Sequence, residues 1–104
     1  MAVDVQVDFV AKGTVRVRAE VRDDDDALTE ITSPSTIKCG FTDPDGTVVT
    51  PADMTEDSTG LYDYFYNTET TSVKGWWATE VVVVDGSGVG AKTSVGRCSF
   101  KVKA

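Results

Sequence analysis

Hydrophobic and polar residues alternate along most of this chain, and the alternation breaks only at clusters of glycine, proline and acidic residues. The cleanest stretch runs from Thr14 to Arg22, where Val15, Val17, Ala19 and Val21 are separated by polar or charged residues. A period of two predicts a half-buried strand with those four side chains inward. Val3 to Phe9 alternates in the same way, and Lys12-Gly13 supplies the connection. Ile37, Cys39 and Phe41 alternate with Lys38, Gly40 and Thr42, which predicts a third strand. It closes at Asp43-Pro44-Asp45-Gly46, where proline presets one backbone angle and glycine accepts a positive one. Thr47 to Thr50 predicts a short return strand that Pro51 stops.

Between the second and third strands lies Asp23 to Ser35, opening with Asp23-Asp24-Asp25-Asp26 and ending beyond Pro34. Four adjacent carboxylates resist strand pairing, so a long exposed connection is expected, with Leu28 and Ile31 tacking it to the body. Met54 to Ser58 reads as a polar crossing. In Gly60 to Tyr66, Tyr62, Tyr64 and Tyr66 share one face, and Leu61, Asp63 and Phe65 share the other. The tyrosines are expected in the core, with one hydroxyl bonded to a backbone group at a strand corner. In Trp76 to Val84, an inward set of Trp77, Val81 and Val83 turns Trp76, Ala78, Val82 and Val84 outward. Asp85-Gly86-Ser87-Gly88 marks a turn, and Gly96 to Val102 closes the chain with Cys98, Phe100 and Val102 inward.

About seven strands and no helical period predict an all-β, two-sheet antiparallel sandwich of the immunoglobulin-like type. The length of 104 residues suits one domain, residues 1–104. Composition narrows the function classes. The net charge of −7 repels a phosphate backbone, so nucleic-acid binding is not expected. The longest apolar run, Val81 to Val84, is far short of a membrane-spanning helix. Met1 to Asp4 has no basic region leading into an apolar stretch, so no secretory signal is read.

The order Asp43-Pro44-Asp45-Gly46-Thr47, then Gly60 to Tyr66, then Gly75-Trp76-Trp77, Asp85-Gly86 and finally Phe100-Lys101-Val102 resembles bacterial and phage immunoglobulin-like domains. The likeness covers about residues 13 to 103. Short chains of this appearance resemble small virion structural proteins of tailed phages, which decorate capsids or join tail-associated assemblies. The resemblance implies a virion location after assembly in the host cytoplasm, with other virion proteins or further copies of the same chain as partners. One departure matters: no cysteine follows a tyrosine by two positions in the tyrosine strand, so an antibody-style disulfide between sheets is not expected.

Candidate chemistry is sparse. With no histidine, the usual proton shuttle at neutral pH is missing, and no catalytic residue is assigned. Gly86-Ser87-Gly88-Val89-Gly90 precedes no helix and reads as a hairpin tip, not a phosphate cradle. Asp23, Asp24, Asp25 and Asp26 are weak candidate calcium ligands, since hard cations take clustered carboxylate oxygens, but their spacing matches no EF-hand and a solvated acidic loop is the expected reading. Cys39 and Cys98 both have core parity. A disulfide closing so long a loop would add about 4 kcal/mol in the chain-entropy view, whereas two buried reduced thiols suit a chain read without a secretory signal. No cofactor is expected. The candidate interface is an outward apolar patch of Leu61, Phe65, Trp76, Ala78 and Val82, unless a neighbouring segment covers it. Such a patch fits assembly with other proteins; the alternative is a carbohydrate-binding or adhesion module, in which Trp76 and Phe65 stack on surface glycans.

Overall fold

The computed structural model describes residues 2–11, 13–23, 25, 27–29, 35–67, 74–85 and 92–102. Eight strands run through them: β1 (Ala2–Ala11), β2 (Thr14–Arg22), β3 (Ser35–Thr42), β4 (Val48–Asp53), β5 (Thr55–Ser58), β6 (Leu61–Asn67), β7 (Gly75–Asp85) and β8 (Lys92–Val102). They form two four-stranded sheets, ordered β1-β2-β6-β5 and β4-β3-β7-β8. Every registered pair is antiparallel. The Gly86–Gly90 tip, Ile31 and Pro34 lie outside the described residues.

The strand phases read from the sequence hold. Val15, Val17, Ala19 and Val21 have no measurable exposure, and the flanking polar residues of β2 are all part-exposed. A slip of one residue would drive Arg16, Arg18 and Arg22 inward, so this strand's register is strongly specified. Opposite it, Cys39, Phe41, Trp77, Val81 and Val83 are buried on the second sheet. The two inner faces meet through aromatic rings: Phe41 stacks on Tyr66 with centroids 4.4 Å apart, and Tyr66 in turn lies 6.0 Å from Trp77. Trp77 stacks on Phe100 at 6.1 Å within its own sheet. The inward tyrosines are as expected, and the Tyr62 hydroxyl donates to a carboxylate, Glu56 Oε2, at 3.2 Å.

Two segments depart from the sequence reading. Pro51 does not stop β4, which continues to Asp53. β4 is an edge strand, and its register with β3 shifts between Cys39 and Phe41, so the proline falls where the ladder is already interrupted and its missing N–H removes no essential bond. Thr55 to Ser58 is not a crossing but the strand β5, paired to β6 at the edge of the first sheet. The crossing is compressed into Met54, which is buried and donates its N–H to Ile37 O at 3.1 Å. The chain thereby changes sheets within one residue, which is why eight strands appear where seven were expected.

The Asp43–Gly46 turn is built as its residues require. Asp43 Oδ1 accepts the N–H groups of Asp45 and Thr47, both at 2.9 Å, and Gly46 takes a φ of 88°. The connection after β2 is tied down at its start. Asp23 Oδ1 accepts from the N–H groups of Asp25 and Ala27, Leu28 bridges to Arg22, and the Thr29 N–H donates to Val21 O at 2.9 Å.

Candidate functional site

The two sheets turn very different surfaces to solvent. On the first sheet, the outward positions of β2 are Thr14, Arg16, Arg18, Glu20 and Arg22, and the neighbouring strands answer them with carboxylates. Arg18 grips Asp63 with a two-pronged contact, Nε to Oδ1 at 2.8 Å and Nη2 to Oδ2 at 2.9 Å, and reaches Asp57 at 2.8 Å. That arrangement pushes the Arg18 guanidinium further up, chiefly through the hydrogen bonds it donates to Asp63, so it carries its charge at every accessible pH. Arg16 pairs with Asp8 at 3.0 Å and Arg22 with Glu20 at 2.9 Å. Each outward arginine of β2 is therefore paired with a carboxylate, although the buried Arg16 Nε has no hydrogen-bond partner among the described residues.

The outward positions of the second sheet are mostly uncharged. On β7 they are Trp76, Ala78, Glu80, Val82 and Val84; β8 adds Val95, Arg97 and Lys101, β3 adds Lys38 and Gly40, and β4 adds Val48. Val48 and Trp76 are 67% and 63% exposed. A concavity of about 590 Å³ opens among them, lined by Gly40, Val48, Pro51, Ala78 and Val82, with Lys38, Glu80 and Arg97 among its polar lining residues. Its cause is local. Gly40 has no side chain to fill the middle of the face, and a Cβ there would stand 3.3 Å from the Pro51 ring. Glu80 and Arg97 close on each other at 2.8 Å, leaving both charges paired at the rim.

Beneath Gly40 the polar atoms are accounted for. The Thr79 hydroxyl, in a residue only 1% exposed, donates to Gly40 O at 3.0 Å and sits 3.3 Å from Cys39 Sγ. Burial pushes the Cys39 thiol up, partly offset by the Thr79 contact. Cys39 and Cys98 are free thiols. They lie on β3 and β8 with β7 between them, two strand spacings or about 9.6 Å sideways and a further two residues offset along β7, so a disulfide is geometrically excluded.

The residues proposed from sequence as one patch fall on opposite sides of the molecule. Trp76, Ala78 and Val82 share the outer face of the second sheet, but Leu61 and Phe65 lie on β6, on the outer face of the first. Their assignment to neighbouring strands is corrected by the crossing between β6 and β7, which carries the chain from one sheet to the other. Phe65, 58% exposed, is the register partner of Arg16 within the ion-paired face. Sequence reasoning also missed Gly40, Val48, Pro51 and Val95. Pro51 was read only as a strand stop, and Val95 lies before the expected start of β8. Val48 carried a usable signal, since in Val48-Val49 one side chain must point out.

Of the candidate calcium ligands, Asp23 spends its carboxylate on its own turn and Asp25 is exposed beside it, while Asp24 and Asp26 lie outside the described residues. Among the described residues no group of three or more Cys, Asp or Glu side chains is placed to hold a metal ion. What the second sheet's outer face can do chemically is bury area: it offers exposed apolar side chains, a recess, and charges already neutralised at its rim. No protein family, curated protein or solved structure matches this chain.

Proposed function

We propose that this chain is a non-enzymatic, immunoglobulin-like structural domain of a tailed-phage virion, joined into its capsid or tail assembly, with the outer face of the second sheet as its contact surface toward another virion protein or a further copy of the same chain. The observation that carries the attachment is the contrast between the two outer faces: one sets paired charges around a single exposed aromatic, Phe65, and the other leaves Val48, Trp76 and Val95 exposed around a recess. An exposed aromatic among apolar neighbours is the usual anchor of a protein contact. The virion setting is carried by the resemblance of the Asp43–Thr47, Gly60–Tyr66 and Gly75–Trp77 segments to phage immunoglobulin-like domains. The strand orders β1-β2-β6-β5 and β4-β3-β7-β8 support the immunoglobulin-like reading, because they follow the A-B-E-D and C-F-G order of such sandwiches with one strand added beside the third. Weak binding per copy suffices in such a setting, because repeated sites on a lattice supply avidity.

The glycan-binding alternative is weakened by the separation of its two aromatics. Trp76 and Phe65 face opposite directions and do not form one stacking platform. The test is to size the particle that carries this chain in material from its source, by light scattering and native mass spectrometry, beside a Trp76→Ser variant. Many copies in a large particle, lost with the variant, is the expected result. A chain found only as a free monomer overturns the proposal.

A further inference from the structure

We propose that the outer face of the second sheet is a two-fold interface with a second copy of this chain, each Trp76 seated in the recess over the other copy's Gly40. This rests on the reading of that face as the attachment surface and names its partner. Three observations point to a second copy.

The first is self-complementarity. The projecting group and the recess lie on neighbouring strands: Trp76 is on β7, and Gly40 is on β3 opposite Glu80, four residues further along β7. At about 3.3 Å per residue, knob and hole are roughly 13 Å apart along β7. A two-fold axis lying in the interface and passing between Ala78 and its register partner Thr42, midway between Trp76 and Gly40, places each Trp76 over the other copy's recess in one operation. Ala78 is exposed and small, which lets the two strands approach at the axis. Such a contact is isologous and closes at two copies.

The second is area. The molecule measures 43 × 25 × 18 Å, and the part of its broad face that overlaps about this axis, roughly 20 Å along four strands spaced about 4.8 Å, makes a small contact, as suits a chain that pairs only when concentrated.

The third is charge. A chain of net charge −7 repels its own copies, so self-association needs a surface where the acid is absent. The outer face of the second sheet carries Lys38, Arg97 and Lys101 against Glu80 and Asp53. The opposite face carries Asp4, Asp8, Glu20, Asp57 and Asp63 against Arg16, Arg18 and Arg22. Joining second sheet to second sheet brings together the less acidic surfaces. The carboxylates of the first sheet stay a sandwich's thickness behind, about 10 Å for the sheet spacing alone and beyond the roughly 8 Å screening length of physiological salt.

Sedimentation equilibrium of the full chain from about 1 μM to about 500 μM tests the interface. The expected result is a mass that doubles with concentration and rises no further. Trp76→Ser weakens the association at least about 30-fold, as for a central anchor. Ala78→Asp, which sets two carboxylates against each other at the axis, leaves only monomer, while circular dichroism of both variants stays that of the parent. Phe65→Ser, on the opposite face, changes nothing. A chain monomeric throughout, an open series of masses, or a dimer lost with Phe65→Ser overturns the two-fold interface. If the chain is monomeric alone yet Trp76→Ser releases it from its particle, this inference falls and the attachment reading stands. A dimer sensitive to Ala78→Asp in a chain that joins no particle has the opposite meaning.

Discussion

Trp76 and Trp77 are neighbours on β7, and the same alternation that seals one into the core leaves the other on the surface. The two outer faces show that alternation alone does not decide what an outward position becomes. On the first sheet, β2 places arginines outward and its neighbours on both sides present carboxylates, so the face closes on itself in ion pairs. Exposed pairs of this kind contribute little to stability, and their effect is to keep a broad β-face solvated and unattractive to other chains. On the second sheet the outward residues of the central strands include tryptophan, alanine, valine and glycine, and among the described residues no other segment covers Trp76 or Val48. The first face is largely answered by its own charges; the second leaves Val48, Trp76 and Val95 exposed.

The sharpest way to break this comparison is at the two tryptophans. Trp77→Ala removes a ring stacked on Phe100 and close to Tyr66, and is expected to destabilise the fold by about 3–5 kcal/mol in urea denaturation. Trp76→Ala in dilute protein is expected to change stability by no more than about 0.5 kcal/mol. Equal losses at both positions would mean that the second sheet's outer face is covered by the chain itself.

A smaller effect is expected where the edges of the two sheets meet. Gly96 on β8 lies under β1, and an added Cβ would come within 2.6 Å of Val3 O, a backbone atom that cannot swing away. Gly96→Ala is expected to destabilise by about 1–3 kcal/mol and to raise hydrogen exchange in β1 before β2, because the strain falls on the outer strand of the first sheet. Exchange that rises uniformly would show that β1 is not separately held there.

Much of this was legible before the fold was known. The inward sets of β2, β3 and β7 follow from a period of two, because a single slip would bury charge. β5 was not legible: Thr55-Glu56-Asp57-Ser58 has no apolar residue, and it is a strand only because β6 offers it an edge. The split of the apolar patch was equally hidden. That Phe65 and Trp76 point outward is a local fact, but which sheet each joins depends on a crossing whose destination is set by distant pairing, β6 with β2 and β7 with β3. The recess depended on Gly40 facing Pro51 across a ladder whose continuation the proline itself appeared to forbid.

At the ion-paired face the expected effect is smaller still. Asp63→Asn removes the two-pronged partner of Arg18, whereas Asp57→Asn removes a single contact to a more exposed carboxylate. Thermal unfolding at low salt is expected to show a lower midpoint for Asp63→Asn than for Asp57→Asn, each shift several-fold below that of Trp77→Ala. Raising salt is expected to narrow the gap between the parent and Asp63→Asn. A gap that salt does not touch would mean that Asp63 acts through packing.

The inner faces can be separated by pH. On the second sheet, burial pushes the Cys39 thiol up; on the first, burial pushes the Tyr66 phenol up, with Tyr64 and Asp43 adding to it. Both groups are neutral when protonated, so in each case the unfolded chain releases its proton at lower pH than the folded one. The contribution is complete below the unfolded value and is lost as pH rises through the window up to the folded value. For the thiol that window opens near pH 8.5, for the phenol near pH 10. Stability measured by urea denaturation is therefore expected to begin falling above about pH 8.5, and Cys39→Ala should flatten that first segment while lowering the whole curve. Above about pH 10 the fall should steepen in parent and variant alike, through Tyr66. If Cys39→Ala leaves the first segment unchanged, the thiol beneath Gly40 is not the group that titrates, and the floor of the recess is wetter than its buried Thr79–Gly40 hydrogen bond implies.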